Sequence, residues 1–370
     1  MRSEQQWIWQ QPAWPKFCYN SERLLPLIAT ASRLIGALEA TCRTLADPVL
    51  LDARETVLAD DAMETSAIEG EILRRSSVRA SVRKRLGLPV GEDDSDSQSD
   101  GLVAMLLDAR NNCSQPLTEE RLYSWQAALF PTGYSGLRQI HVGGYRGPEQ
   151  MQIVSGPLDR ERVHYIAPPR ERLDHEMSRF LSFVNQANDS DPILNAGIAH
   201  LWFIMIHPFD DGNGRVGRAI TDALLARNFP LLMQVISFSK QVSLDKKEYY
   251  RLLEEAGQGG LDLTDWLLWF GQTLITALHK SQWIIEQVVH KTLFWHKHGK
   301  TMLNARQQKV LNRLLEAGDQ FTGGMTTRKY AGMCKCSKVT ASRDLTDLET
   351  KGLMRKRSGS GRSTSYEIVS

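Results

Sequence analysis

Residues 207–218 read HPFDDGNGRVGR and separate two strongly apolar stretches, ILNAGIAHLWFIMI at 193–206 and VGRAITDALLARNF at 216–229. Gly212 and Gly214 flank a short loop immediately before the second stretch, whose pattern predicts a helix. The first N–H groups of a helix have no partner inside it, and they attract anions. We therefore predict an anion-binding loop between two buried helices.

Charged side chains surround this loop. Arg215 and Arg218 are three residues apart and lie near one face of the predicted helix, where guanidinium groups suit phosphate. Asp211 beside a bound phosphate is a typical magnesium ligand. His207, held by Pro208, can take a proton from an incoming hydroxyl. A histidine before proline or a glycine turn is usually structural, but their convergence here favours a catalytic phosphate site.

The segment resembles the signature of the Fic family, HPFx(D/E)GNGRxxR, at every defined position. The resemblance extends over roughly residues 102–278 and implies a mainly α, helical Fic fold. Most members of this family transfer AMP from ATP to a hydroxyl of a protein, and a few use other nucleotide donors or remove AMP. It therefore implies ATP and Mg²⁺ as cofactors and an unknown target protein, for which the chain itself is one candidate.

The same resemblance implies a role for each residue of the motif. His207 would be the general base, and Asp211 would hold Mg²⁺ between the α- and β-phosphates. Arg215 would support the loop and the leaving pyrophosphate, and Arg218 would grip the γ-phosphate. The loop residues that would cradle the phosphates are Gly212, Asn213 and Gly214.

Residues 143–169 interrupt the helical pattern with glycines, prolines and two β-prone runs, MQIVS and VHYIA. They predict a β-hairpin, and the Fic family has a hairpin flap that pairs with the target's backbone. The strand residues expected to pair are Gln152, Ile153 and Val154. An ordinary surface hairpin is the alternative.

Residues 247–250, KEYY, resemble the family's paired-tyrosine helix beside the adenine, which makes Tyr250 a candidate lining residue. Relatives often carry an asparagine seven residues later, whereas this chain has Gly257. The adenine contact therefore departs from the family pattern, and a core tyrosine is the alternative.

Residues 65–70, TSAIEG, resemble the family's inhibitory motif, (S/T)xxxE(G/N). By that resemblance, Glu69 would form an ion pair with Arg218 and keep the γ-phosphate out. The alternative is a solvated helix glutamate, like the nearby Glu64 and Glu71. Some members use the inhibitory glutamate to direct water for removal of AMP, so addition and removal both remain open.

Composition divides the chain into four regions. Residues 1–101 carry an aromatic, proline-punctuated arm and a helical region with the inhibitory motif, 102–280 the Fic core, and 281–302 a linker helix. Residues 303–370 predict three helices and a hairpin, which resemble a winged helix-turn-helix domain. The acidic, serine-rich residues 91–100 predict an exposed loop.

The tail is basic, since residues 301–370 hold 13 Lys and Arg against 6 Asp and Glu, while the rest holds 32 against 37. This asymmetry favours a polyanionic partner. The candidate DNA-contacting residues, on the third helix and the wing, are Lys338, Thr340, Ser342, Arg343 and Arg357. Protein docking or dimerisation is the alternative. A transcription regulator whose Fic domain is a nucleotide-sensing or self-modifying switch is therefore a second function.

Five scattered cysteines without a CxxC pair favour a reducing, cytoplasmic location. The first residues show no apolar leader, and the apolar stretch 193–209 is too short and polar to span a membrane, so we expect no membrane partner. A homodimer is compatible with the sequence. The phosphate-loop, HExxH and GxGxxG motifs of other enzyme classes are missing.

Overall fold

The computed structural model describes residues 6–45, 47–90, 94–156, 160–186, 191–318, 321–357 and 364–369. Residues 1–44 and 54–281 form one compact unit, and residues 45–53 and 282–370 form a second. The four-part division of the sequence stays a prediction.

Helices dominate the described residues, as predicted. In chain order they are α1 (Ser21–Thr44), α2 (Asp47–Ile68), α3 (Arg75–Arg85), α4 (Ser97–Asn111), α5 (Glu119–Leu129), α6 (Arg170–Asn185), α7 (Pro192–Ile206), α8 (Asn213–Asn228), α9 (Phe238–Leu244), α10 (Lys246–Gln258), α11 (Thr264–His298), α12 (Ala305–Ala317), α13 (Thr327–Cys334) and α14 (Lys338–Thr350).

Helix α7 lies at the centre of the first unit. The Asp191 side chain accepts hydrogen bonds from the N–H groups of Ile193 and Leu194, and Pro192 occupies the first turn. All but two of its residues are buried, which explains its apolar composition on every side. It packs along α8, and the two helices meet at the loop 207–212. The predicted loop between buried helices is confirmed.

Two hairpins flank this helix pair. Strands β1 (Tyr134–Ser135) and β2 (Arg138–Gln139) form a short one that the sequence did not reveal. Strands β3 (Gln152–Ser155) and β4 (Arg162–Ile166) form the hairpin predicted within 143–169. They are antiparallel, and the register shifts between Ile153 and Val154. Residues 157–159 lie outside the described part of the chain.

The aromatic arm packs onto the first unit. The Trp9 indole donates to the carbonyl of Ile166 at 2.7 Å, and the Trp7 ring meets that of Tyr165 edge-on. The Trp14 indole donates to the Glu176 carboxylate at 2.9 Å. The arm therefore packs its rings against β4 and α6, and it contains a short 3-10 helix at Ile8–Gln10.

The second unit contains α12, α13 and α14 and a three-stranded antiparallel sheet. The strands are β5 (Met325–Thr326), β6 (Met354–Lys356) and β7 (Ser365–Ile368), in the order β5-β7-β6. Three helices and a terminal hairpin are the elements predicted for the tail, and β5 is an addition. The hydrophobic core of the second unit includes Val310, Leu311, Tyr330, Leu345 and Leu348.

The prediction of a loop over residues 91–100 is wrong for its second half. Helix α4 begins at Ser97, because the Asp96 side chain accepts a hydrogen bond from the Ser99 N–H at 2.8 Å. Ser99 is fully buried, and Ser77 binds Asp96 at 2.7 Å. Asp96 thus caps a helix, and Ser99 is buried in the first turn of that helix. Residues 91–93 lie outside the described residues.

One helix among the described residues, α1, is long and apolar enough to cross a membrane by length and composition, with a mean hydropathy of 1.3. The expectation drawn from the stretch 193–209 did not consider α1. Its buried side chains recur along one face: Leu24, Ala31, Leu34, Ile35, Leu38 and Cys42.

Candidate active site

The loop between α7 and α8 begins with an unusual backbone turn. His207 has φ 52° and ψ 60°, in the left-handed region, which ends α7 before Pro208. Arg146, itself 1% exposed, holds this turn. Its Nε donates to the carbonyl of His207 at 2.8 Å, and its backbone N–H donates to the carbonyl of Pro208 at 2.9 Å. A buried guanidinium therefore stabilises a strained position at the functional loop.

The imidazole of His207 is held in one orientation. Its Nδ1 lies 3.2 Å from the carbonyl oxygen of Ile204, which can only accept, so Nδ1 carries the proton. Burial lowers the pKa of His207 to about 4, against the opposing effect of this hydrogen bond. The ring is therefore neutral near pH 7, and Nε2 is the nitrogen able to receive a proton.

The glycine-flanked loop forms the N-terminus of α8. Gly212 has φ 91°, a conformation that favours glycine, and the first intrahelical bond runs from the Val216 N–H to its carbonyl. The preceding N–H groups therefore lack helical partners and form an anion nest. The Asn213 side chain acts differently from the prediction, because its amide exchanges two hydrogen bonds with the backbone of Phe209. The side chain of Asn213 therefore closes the loop, and only the backbone N–H of Asn213 is left to contribute to the nest.

Asp211 stands beside the nest and is 40% exposed. It accepts hydrogen bonds from the Ser135 hydroxyl and from the Gly212 N–H, so its carboxylate is oriented. Among the residues that the structure describes, no group of three or more histidine, cysteine or acidic side chains could hold a metal alone. One open carboxylate fits Mg²⁺, which is usually bound by one or two carboxylates together with substrate phosphates.

Arg218 is 1% exposed and is engaged by residues 65–69 at the end of α2. Its Nε donates to the Thr65 hydroxyl at 2.7 Å, and its Nη2 donates to Glu69 Oε1 at 2.7 Å. The Glu69 oxygen lies 2.0 Å from where a Cβ on Gly214 would be, so a side chain at 214 would displace the carboxylate. Although burial disfavours the charge, Glu69 raises the pKa of Arg218. The predicted pairing of Glu69 with Arg218 is thus present in the structure.

Arg215 is also engaged by a carboxylate, which the sequence did not predict. Its Nη1 lies 2.6 Å from Glu71 Oε2, and its guanidinium carbon stacks 4.9 Å from the centre of the Phe130 ring. Asp211 is farther away, at 3.8 Å. The expectation that Glu71 is an ordinary solvated glutamate is therefore wrong, although an acid two residues after Glu69 was visible in the sequence.

Tyr250 is 40% exposed on α10, next to the end of α2. Its hydroxyl donates to the carbonyl of Ile68 at 3.2 Å, and burial raises its pKa to about 12. At Gly257, an added Cβ would lie 2.7 Å from the Tyr165 ring. Tyr165 of β4 therefore occupies the space that a side chain at 257 would need.

The flap residues lie on β3, whose sheet among the described residues has only β4 as a second strand. Gln152 and Val154 are exposed, and Ile153 is half-buried. Gln152 and Val154 line a groove of about 800 Å³ that Asp210 also lines. Strand β3 therefore lies close to the loop that carries the motif.

Two buried polar clusters were missed by the sequence analysis. Arg110 binds Asp222 of α8 at 2.6 and 2.8 Å, and it also binds Asp61 of α2. His200 of α7 binds the hydroxyls of Thr221 and Tyr249 at 2.9 and 3.0 Å. Each residue is ordinary in the sequence, and only the packing of distant helices brings the partners together.

The candidate DNA-contacting residues of the tail differ in whether their side chains already have a partner in the structure. Lys338, Ser342 and Arg343 are exposed on α14. The Thr340 hydroxyl, in contrast, lies 2.9 Å from that of Ser337, which caps the same helix. The wing residue Arg357 pairs with Glu367 at 3.3 Å. Only the helix therefore presents unengaged cations where DNA contacts were predicted.

The site therefore combines a glycine-flanked helix N-terminus, two buried arginines and a histidine that burial keeps neutral near pH 7. The family model of the Fic/DOC family matches residues 116–225, and that of a domain of unknown function, DUF4172, matches residues 7–88. The chain is a Fic-domain protein.

Curated relatives bear the name "Protein adenylyltransferase Fic". That of Nematostella vectensis is 32% identical over 100 residues, covering 26% of this chain and 22% of the relative. That of Culex quinquefasciatus is 29% identical over 163 residues, covering 42% and 30%. The chain thus spans less than a third of the length of these relatives. The matches support a Fic-type transferase and protein AMPylation at the level of the family.

Solved structures share the fold at low identity. A Fic family protein from Desulfovibrio desulfuricans G20 is 19% identical with a TM-score of 0.55, covering 96% of this chain and 98% of that one. A Fic domain containing signaling protein from Bacteroides thetaiotaomicron VPI-5482 is 19% identical with a TM-score of 0.52, covering 70% and 96%. The Fic fold predicted from residues 207–218 is confirmed.

Proposed function

We propose that the chain is a self-inhibited, Mg²⁺-dependent protein adenylyltransferase that moves AMP from ATP to a Ser, Thr or Tyr hydroxyl of a protein. One arrangement carries this proposal: a neutral histidine stands at the rim of an anion nest whose buried arginine, Arg218, is paired with Glu69 at 2.7 Å. The chain's own carboxylate thus occupies the place where the phosphate of a nucleotide would bind.

The chain's residues suit the transfer step. The target hydroxyl gives its proton to Nε2 of His207 as its oxygen bonds to the α-phosphorus, and the bond to pyrophosphate breaks. The amides of the nest and the two arginines hold the negative charge in place. Asp211 would hold Mg²⁺, which when bound supplies further positive charge to the phosphates. The Ile204 carbonyl keeps the histidine in the tautomer that this step needs.

Self-inhibition follows from the position of Glu69. Its carboxylate neutralises Arg218 and lies over Gly214, so a γ-phosphate approaching both would meet negative charge and an occupied space. Thr65 holds the same arginine through its hydroxyl and its carbonyl, which keeps the guanidinium turned toward the inhibitory segment. ATP then binds poorly or in an unreactive position.

The target would add a strand to the flap. The edge of β3 away from β4 can form backbone hydrogen bonds with an extended peptide, which fixes its register with little demand on its sequence. Gln152, Ile153 and Val154 are the residues proposed to pair. The target, self-modification, a cytoplasmic location and a homodimer stay predictions.

The test compares variants incubated with Mg²⁺ and ATP labelled at the α-phosphate. We expect Glu69→Gly to raise labelling of the chain or of a lysate protein by about 10- to 100-fold. Adding His207→Ala should then lower it by about 10²- to 10⁴-fold. Glu64→Gln, a charge change on the same helix, is the matched control and should leave labelling unchanged.

Equal labelling by the wild type and Glu69→Gly would contradict self-inhibition. Labelling that survives His207→Ala would contradict the proposed base. Parallel incubations with labelled CTP, GTP and UTP, and with a target already carrying AMP, distinguish transfer of another nucleotide group or removal of AMP from the proposed reaction.

A second role, binding of DNA by the tail, is supported by the surface of α14. Lys338, Ser342 and Arg343 are exposed on it together with Val339, which is 80% exposed. Cations and an apolar side chain on one helix face suit the phosphates and base edges of a DNA groove. The chain would then be a transcription regulator whose Fic domain acts as a nucleotide-sensing or self-modifying switch. DNA binding and AMP transfer are compatible roles.

A further inference from the structure

We infer that Glu71 is a second inhibitory residue, which occupies Arg215 as Glu69 occupies Arg218. The inference rests on the proposed function and concerns the regulation of the same site. The segment 69–71 would then block both arginines of the nest, and removal of Glu69 alone would release only part of the inhibition.

The contacts of Glu71 are as close as those of Glu69. Its Oε2 lies 2.6 Å from Nη1 of Arg215, whose side chain is 2% exposed. The Glu71 side chain is 29% exposed, and that of Glu69 is 27% exposed. Each pair therefore joins a buried arginine to a carboxylate that keeps access to water. Such a carboxylate can leave without becoming buried elsewhere, whereas the arginine cannot.

Both arginines retain hydrogen-bonding capacity that the carboxylates do not satisfy. Among the described residues, Nε of Arg215 and Nη1 of Arg218 are buried and lack a partner. A phosphate group offers more acceptor oxygens than one carboxylate oxygen, and guanidinium matches its geometry. A phosphate chain across the nest would therefore replace the carboxylates at both arginines and also bind the unpaired N–H groups.

The two glutamates are held by one turn beyond α2. The N–H groups of Glu69 and Glu71 both donate to the carbonyl of Ser66 at 3.0 Å, and Gly70 between them has φ 84°. Helix α2 itself is anchored, since its Asp61 binds the buried Arg110. Inhibition can therefore be relieved by moving the two carboxylates separately, without moving the helix.

Glu71 has one further contact, with Nε2 of Gln98 at 3.1 Å. Gln98 lies at the start of α4 and is exposed. A glutamine at position 71 would keep a polar group for both neighbours and remove only the charge. Glu71→Gln is for that reason a sharper test than truncation to alanine.

The experiment measures ATP binding by titration calorimetry, with Mg²⁺, in a His207→Ala background that prevents turnover. We expect Glu71→Gln and Glu69→Gly each to lower Kd by about tenfold, and the double variant to lower it by about a hundredfold. Glu64→Gln should leave Kd unchanged. Without the His207 change, AMP transfer should follow the same order, with the double variant fastest.

Two results would overturn the inference. An unchanged Kd for Glu71→Gln, alone and with Glu69→Gly, would show that Arg215 does not limit ATP binding. A weaker Kd would show that Glu71 holds Arg215 ready for ATP. Either result leaves a gain from Glu69→Gly intact, and so the proposed function stands. Failure of every variant to bind ATP would instead reject the proposed function.

Thermal unfolding checks that the variants fold. Glu71→Gln removes the partner of a buried cation, so its Tm without ATP should fall. Because ATP would replace the lost carboxylate, the rise in Tm on adding saturating ATP should be larger than in the wild type. A variant that melts earlier and gains no more from ATP than the wild type would count against a second inhibitory residue.

Discussion

The cations of the nest and those of the tail are held in opposite ways. Arg215 and Arg218 are almost fully buried, and each meets a carboxylate from the turn that follows α2. Lys338 and Arg343 of α14 stand exposed. Buried cations are fixed by the fold and act on one ligand at contact distance, whereas exposed cations attract any polyanion over a distance that salt shortens. The same residue types therefore support positioning in one region and general attraction in the other.

The difference between buried and exposed cations should be largest in their contribution to the free energy of unfolding. Arg110 is 6% exposed and bridges Asp61 and Asp222, so Arg110→Met leaves two buried carboxylates without a counterion. Burial already raises the pKa of Asp222, while Arg110 opposes that rise. We expect the free energy of unfolding to fall by about 3–5 kcal/mol, measured by urea denaturation at pH 7.

Arg251→Met is the exposed counterpart. Arg251 is 49% exposed and also pairs with two carboxylates, Glu248 and Glu255. Pairs of this kind contribute little to the free energy of unfolding, because water and salt screen them. Equal losses for Arg110→Met and Arg251→Met would remove burial as the distinction between the two kinds of cation.

A smaller effect is expected from His200, which is fully buried on α7. Burial, together with the charge of Arg218, lowers its pKa to about 3, whereas it is about 6.5 in the unfolded chain. Between pH 6.5 and pH 3, His200 therefore binds a proton in the unfolded chain but not in the folded one. The stabilisation is present above pH 6.5 and is lost as the pH falls toward 3, by about 2 kcal/mol at pH 5.

Urea denaturation at pH 7 and pH 5 checks this pH dependence. Between these values the wild type should lose about 2 kcal/mol more than His200→Gln, which cannot take up the proton. His175→Gln, on the exposed face of α6, should behave like the wild type. If His200→Gln loses as much free energy of unfolding between pH 7 and pH 5 as the wild type, another group is responsible for the acid sensitivity.

The smallest effect per substituted residue is expected for the cations of the tail, in their contribution to DNA binding. If α14 binds DNA, the double variant Lys338→Ala with Arg343→Ala should weaken binding to duplex DNA. The log–log dependence of affinity on salt, near −3.6 for roughly four phosphate contacts, should become shallower by about 1.8. A shift assay at several salt concentrations measures both quantities.

The wing offers the matched control. Arg355 is 69% exposed but pairs with Glu367 at 2.8 Å, so Arg355→Ala should change the slope less than Lys338→Ala. Equal changes would place the wing in the interface as well. Absence of salt-dependent binding in the unchanged chain would favour protein docking as the role of the tail.

The motif was predictable because its chemistry is local. Residues 207–218 hold the histidine, the glycines and both arginines within about three helical turns, and the asparagine closes its own loop. The start of α7 is also local, because Asp191 caps the helix and Pro192 lies in its first turn. Glu69 was predictable only through a resemblance, because its partner lies far along the chain.

Other parts of the site could not be predicted, because their partners are distant in sequence. Arg146 holds the His207 turn from the flap segment, and Glu71 reaches Arg215 from the end of α2. Nothing in their local sequence distinguishes them from solvated side chains. The serines before α4 were misread for the same reason, since a run of polar residues predicts a loop until a partner such as Ser77 is known.

The amino-acid sequence by itself determined where the anion nest lies and which residues carry its chemistry, because backbone turns, helix starts and apolar periodicity depend on neighbouring residues. Only the tertiary structure decided that both nest arginines are neutralised by one short segment, and which cations stay exposed to solvent. Ion pairs and burial depend on distances between helices that chain order does not set. The difference between an available and a blocked phosphate site is therefore a property of packing.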